Sequence, residues 1–266
     1  MVSPTALTFG EALVVNPIQY FPSANAAVRA GAARLELNAA GSYPAGGLTP
    51  TIEDLTQVQS LKVPIRVMIR PRGPPTSGAR DFVYSNAELE AMEQSIYEFK
   101  SSGLLSEERG DGFVFGVLCE IGSDEATDFK SASAILALDS CTRLANAAKP
   151  YKTVLHRAFD ELVSSGTWRE ALGQLVGCGF DGVLTSGGPG NAVDNVESLD
   201  RILEEAGDRI EIILGGGVRS ANAGRLVRNL RADTRARLPW AHSSCLTRKE
   251  TEMVDTGEVM SIVAEI

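Results

Sequence analysis

The chain has 266 residues and a formal net charge of -9, with an isoelectric point near 4.9. That balance argues against general nucleic-acid or anionic-membrane binding, though not against a small basic pocket. Apolar residues at 44% and charged residues at 22% describe an ordinary globular chain, long enough to bury a large core.

An α/β barrel of this length is usually one domain, so residues 1–266 are expected to form a single domain. No stretch approaches about 20 consecutive apolar residues. The opening "MVSPTALTFGEALVV" has neither a basic segment nor a long apolar run. A soluble, cytoplasmic protein with no membrane and no nucleic-acid partner is therefore expected. The four cysteines, Cys119, Cys141, Cys178 and Cys245, form no C-x-x-C or C-x-C pair, which suits a reducing compartment and argues against a zinc site or disulfide framework.

In chain order, short β-rich runs alternate with helical patterns. The expected strands are "ALVVNP" (Ala12–Pro17), Ala33–Asn38, Pro64–Arg70, Gly112–Leu118, Lys152–Phe159, Gly182–Gly187, Ile210–Gly216 and Leu238–Ser244. Between the third and fourth, Ser85 and Glu88 form a capping box, and Leu89, Met92, Ile96 and Phe99 recur on one helical face until Gly103 stops it. Similar stripes are Trp168, Leu172, Leu175 and Val176; Val196, Leu199 and Leu203; and Leu226, Val227 and Leu230. Eight strands alternating with helices predict a TIM-type (β/α)8 barrel. An open doubly wound sheet would more often show a glycine-rich turn after its first strand, and "IQYFPSAN" is not one.

In such a barrel the site forms at the C-terminal strand ends, where polar residues gather. Alternation places Leu35, Leu37, Val67 and Ile69 outward against helices, and Glu36, Asn38, Arg66, Met68 and Arg70 inward. Glu36 is expected to pair with Arg66 or Arg70, either as a structural salt bridge or as part of a site. Both histidines of the chain, His156 and His242, fall at strand ends. Alternation leaves open whether His156 or Arg157 faces inward. Glu36, Arg70, His156, Arg157 and Asp160 are candidate catalytic groups, although Asp160 could simply cap the following helix.

"GGGVRS" (Gly215–Ser220) follows a buried strand and precedes a helix. Its glycines Gly215, Gly216 and Gly217 could let backbone N–H groups approach a phosphate, or could serve only a tight turn. With Arg72, Ser243 and Ser244 they form a candidate site for a small anionic ligand. Cys119 and Cys245, just past two strand ends, are candidates for a soft metal such as Cu(I), or plain packing residues. The arrangement fits a lyase or isomerase.

The stretches "GAARLELNAAGSYPAGGLTPT", "IRPRG" with "DFVYS", "HRAFD", "VLTSGG", "GGGVRSAN" and "HSS" together resemble the CutC copper-homeostasis family. The likeness runs in order from about Ala30 to Cys245. It implies a TIM-type barrel, a cytoplasmic role in copper handling with copper, as Cu(I), as ligand, and a homo-oligomer. Better-known members carry a cysteine in the first strand and another directly after the second-strand run, the family's proposed copper ligands. In this sequence those positions fall near Pro17 and at Asn38. Proline offers no side-chain donor and an amide is a poor Cu(I) ligand, so the resemblance implies that the usual thiol site is missing. A second departure is "PPTSGAR" (Pro74–Arg80), inserted before "DFVYS", which could alter or lid the barrel mouth.

Overall fold

The computed structural model describes residues 17–121, 133–230, 239–247 and 253–266, together with strand 7–12; of residues 7–12 and 17–21 it describes the backbone path. Seven parallel strands form one curled sheet: β2 (Arg34–Asn38), β3 (Ile65–Met68), β4 (Gly112–Phe115), β7 (Lys152–Leu155), β8 (Gly182–Thr185), β9 (Glu211–Leu214) and β10 (Trp240–Ser243). The backbone of β1 (Leu7–Ala12) pairs in parallel with β2 on one side and β10 on the other. Helices α1 (Pro17–Arg29), α2 (Ile52–Val58), α3 (Asn86–Ser101), α4 (Leu138–Ala148), α5 (Ala158–Ser164), α6 (Trp168–Cys178), α7 (Val196–Ala206), α8 (Ser220–Asn229) and α9 (Thr256–Glu265) follow the strands. The architecture is α/β and TIM-like.

Three expected strands need correction. "ALVVNP" is not the first strand: β1 ends at Ala12 and Pro17 opens α1, with residues 13–16 outside the described residues. Proline lacks an N–H and has its φ fixed near the helical value, so it suits the first helical turn better than a ladder. The run Gly112–Leu118 also splits. β4 stops at Phe115, and Leu118 begins β5 (Leu118–Ile121), which pairs antiparallel with β6 (Ser133–Leu136) in a separate two-stranded sheet. The expected Lys152–Phe159 strand likewise ends early, at Leu155, and Ala158 already belongs to α5.

α3 shows how local sequence sets an element. The Ser85 hydroxyl accepts the Glu88 N–H, and the Glu88 carboxylate accepts the Ser85 N–H at 2.7 Å. Met92, Ile96 and Phe99 are buried on one face, and Gly103 past the C-terminus takes φ +70°, a conformation available to glycine at little cost.

Alternation along the strands divides the interior into two bodies. Leu35, Leu37, Val67 and Ile69 lie in the large core between sheet and helices, with Phe113 and Phe115. Met68, Val114, Val154, Leu184 and Ile213 form a separate apolar layer inside the curl, joined by Trp240. At the N-terminal end of the strands, Arg34 pairs with Glu211 at 2.8 Å and stacks on Trp240 at 3.6 Å. Arg66 donates to the Gly110 carbonyl there, so the expected Arg66 partnership with Glu36 does not form. The two residues are lateral partners in the ladder, but strand tilt displaces lateral partners along the axis of the curl, and the long Arg66 side chain reaches the other end.

The turn before β4 is held by one carboxylate. Asp111, fully buried, accepts the Ile65 and Ser106 N–H groups, each at 2.8 Å, and the Arg109 guanidinium at 2.6 Å. Asp111→Ala strips the start of β3 and the loop before β4 of a shared acceptor and leaves Arg109 without its carboxylate. It is expected to cost about 3–5 kcal/mol, read as a fall in the urea midpoint without a change in slope.

Candidate functional site

At the C-terminal strand ends lies a cavity of about 540 Å³, a volume suited to a small metabolite. Met68 and Leu184 of the apolar layer line it, and Glu36, His156, Arg157 and His242 are among its polar walls. Further wall comes from residues 43–47 after β2 and from Pro74, Asp81 and Phe82 in the loop after β3.

Arg70 lines this cavity but is committed to its walls. Its guanidinium donates to the carbonyls of Ala45 and Gly47 at 2.5 and 3.1 Å, and to the Asp81 carboxylate at 2.7 Å. It is 3% exposed. The expected Glu36–Arg70 pair is therefore absent. Glu36 instead accepts the Asn38 amide at 3.3 Å, and its other oxygen lies 3.6 Å from His242 Nε2. Arg72 does not reach the cavity. Its Nε donates to Glu88 at 2.6 Å and its terminal nitrogen to the Val83 carbonyl at 2.7 Å, with the ring of Tyr84 beneath. Pro71 carries the chain past the strand end, so Arg72 braces the start of α3 rather than serving as the expected anion contact.

His156 and Arg157 both line the cavity, because β7 ends before them and strand alternation no longer applies. His156 is buried, with the Phe82 ring 4.5 Å away and tilted. Burial first, and the positive Arg70 second, push its pKa down to about 3, so it is neutral at ordinary pH. Gly116 makes room for it: a Cβ there would lie 2.9 Å from the imidazole Cε1. Arg157 is half-exposed and donates to Asp160 at 2.7 Å and Ser186 Oγ at 2.8 Å. Asp160 also accepts the Thr185 hydroxyl at 2.6 Å and the Ser186 N–H at 2.9 Å. It thus clamps the start of α5 to the end of β8 and aims Arg157.

Gly215 follows β9, and Gly216 and Gly217 line the cavity with φ of +87° and +73°. A Cβ on Gly216 would sit 2.7 Å from Ser186 Cβ, so both conformation and space demand glycine. Beside them is a residue the sequence reading passed over within the same motif. Arg219 lines the cavity and donates to Ser243 Oγ at 2.9 Å and Ser244 Oγ at 3.1 Å. Ser243 also donates to the Val218 carbonyl and accepts the Cys245 N–H, which makes it a latch; Ser244 is the freer hydroxyl, 3.5 Å from Tyr43 Oη. The only sequence signal for Arg219 was its place after three glycines.

Cys119 lies on β5 and Cys245 is fully buried after β10. Neither lines the cavity, so the two are not brought together there as metal ligands. Burial raises the Cys119 thiol above its usual pKa. Among the described residues, no group of three or more His, Cys, Asp and Glu side chains is placed to hold a metal ion. The one soft atom among the cavity's lining residues is the Met68 sulfur, and that side chain packs in the apolar layer. These donors do not match a thiolate Cu(I) site.

The CutC family model matches residues 14–234. A copper homeostasis protein cutC homolog from Homo sapiens is 35% identical over 206 residues, 77% of this chain and 65% of its own. The chain belongs to the CutC family. A family protein CutC from Sinorhizobium medicae is 37% identical over 235 residues, 87% of this chain and 82% of the relative. The chain thus spans 65% of the human CutC relative's length. The crystal structure of a copper homeostasis protein CutC from Streptococcus agalactiae superposes with TM-score 0.65 at 24% identity, covering 90% of this chain and 97% of that one. At that identity the likeness speaks to the fold. No helix among the described residues is long and apolar enough to cross a membrane.

In this CutC protein the buried His156 gives stability a definite pH dependence. Its folded pKa, about 3, lies below the ordinary 6.5. Between those values the unfolded chain binds a proton that the folded chain refuses, so stability falls as pH falls through the window. The contribution of His156 is flat above about pH 6.5 and below about pH 3, with a slope between approaching 1.4 kcal/mol per pH unit. His156→Gln should flatten the urea midpoint between about pH 7 and about pH 5 relative to the parent; identical profiles would contradict the neutral ring.

Proposed function

We propose that this CutC family member binds a small anionic molecule, phosphorylated at one end, in the cavity and acts on it as a lyase- or isomerase-type enzyme. The observation that carries the reading is Arg219, fixed by Ser243 and Ser244 beside Gly216 and Gly217. A fixed guanidinium, the Ser244 hydroxyl and glycine backbone at the loops after β9 and β10 make a phosphate cradle, the place where TIM-type barrels often bind one. Arg157 adds a second cation, and Glu36 with His242 supplies a carboxylate–imidazole pair for acid–base work. We read residues 1–266 as a single (β/α)8 barrel domain, supported by the pairing of β1 with both β2 and β10. A cytoplasmic homo-oligomer is the accompanying expectation.

A second reading, favoured by the relatives' copper-homeostasis names, makes copper the cargo. Asn38 at one of the positions where the family resemblance places thiols, with the other falling near Pro17, weighs against the usual ligand set. Cys119 and Cys245 would be the remaining thiolates.

Inorganic phosphate titrated into the protein should bind, and Arg219→Ala should weaken it about tenfold, the loss of one charge-assisted contact of about 1.5 kcal/mol. An unaffected affinity, or crystals soaked in phosphate with no anion beside Gly216 and Gly217, would count against the reading. Anaerobic Cu(I) titration separates the alternatives. Tight binding abolished by Cys119→Ser with Cys245→Ser would favour a thiolate copper site; absent or unchanged binding would disfavour it.

A further inference from the structure

The His156 ring has one nitrogen already committed. Nδ1 accepts the Ala158 N–H at 3.2 Å, and a neutral imidazole carries a single proton, which must then lie on Nε2. Nε2 has no hydrogen-bond partner among the described residues, and the side chain is 3% exposed. A buried donor without an acceptor is costly and calls for an explanation. The residue lines the cavity, so a ligand oxygen is the acceptor best placed to supply one.

The surroundings fit a donor and not a base. The Phe82 ring lies 4.5 Å from the imidazole, and Arg70 sits 5.0 Å from the centre of that same Phe82 ring. A second proton would meet a fixed cation in a site shielded from water. The nitrogen that could accept a proton is already occupied. Phe82, in the loop after β3, takes φ +63°, an uncommon conformation for a bulky residue.

We propose that His156 is the electrophile of the site: its Nε2–H donates to the carbonyl oxygen of a small phosphorylated aldehyde or ketone as that oxygen becomes an enolate. This rests on the anion-binding reading above and narrows its substrate class. Glu36 takes the proton from the carbon beside the carbonyl. The C–H electron pair becomes the new C=C bond, and the C=O π pair moves onto oxygen. His156 holds that charge without giving up its proton, because a neutral imidazole is a weak acid and a good donor to a developing oxyanion. The proton returns from Glu36 to carbon, so nothing is oxidised or reduced. Isomerases and aldol-type lyases share this step.

Two phosphorylated probes with the same anionic end test it. Phosphoglycolohydroxamate presents an enolate-like oxygen, and glycerol 3-phosphate does not. By calorimetry the hydroxamate should bind at least about tenfold more tightly. His156→Gln should reduce that preference to within about threefold while leaving glycerol 3-phosphate affinity intact. Independently of that variant's folding, ¹⁵N NMR of the parent should show one of its two histidines neutral, with the proton on Nε2, from about pH 5 to about pH 8. Equal binding of the two probes, a preference that survives His156→Gln, or a ring protonated on Nδ1 overturns the assignment of His156 alone. Binding of neither phosphate overturns the anion-binding reading, and the substrate class with it.

Discussion

A guanidinium inside a curled sheet must find all its acceptors within reach, because water cannot supply them. The terminal nitrogens of Arg70 meet that constraint by binding two carbonyls of the loop after β2 and one carboxylate of the loop after β3. Its backbone does the same work: the Arg70 N–H donates to Thr49 Oγ1 at 2.8 Å, and its carbonyl accepts the Thr49 N–H at 3.0 Å. One buried cation therefore sets two walls of the cavity. It also sets the electrostatics, since its charge helps keep His156 unprotonated. Had Arg70 paired with Glu36, the walls would lose their tie and Glu36 would lose its place beside His242.

The apolar layer beneath explains why the polar groups sort into two ends. Met68, Val114, Val154, Leu184 and Ile213 exclude water from the middle of the curl. The N-terminal ion pairs of Arg34 and Glu211 and the C-terminal cavity are thereby separate problems, each satisfied locally. The lower end stabilises; the upper end is free to hold a ligand. That division is what lets polar side chains at strand ends serve chemistry without dissolving the core.

What the sequence made legible follows from the range of each interaction. The Ser85–Glu88 cap and the Met92, Ile96, Phe99 face are local and periodic, so they could be read directly. So could the outward Leu35, Leu37, Val67 and Ile69, since strand alternation has a fixed period. The hairpin of β5 and β6 could not, because the run through Val117 keeps one apolar character across a change of sheet. Partners were least legible. Glu36 meets His242 from the other end of the chain, and Arg70 meets Asp81 across a loop; neither spacing has a period. Arg219 was hidden because its direction depends on two serines of β10 and the turn after it.

The chemistry of the site turns on two buried groups with different fates. Asp160 has a partner for each oxygen from Thr185, Ser186 and Arg157, so it is spent on geometry and has no need of a ligand. His156 has one nitrogen satisfied and one not. A buried donor left without an acceptor on a cavity-lining residue is suited to an acceptor that arrives from outside. A soft cation does not answer that vacancy, because an N–H donor repels it; an oxygen carrying negative charge does.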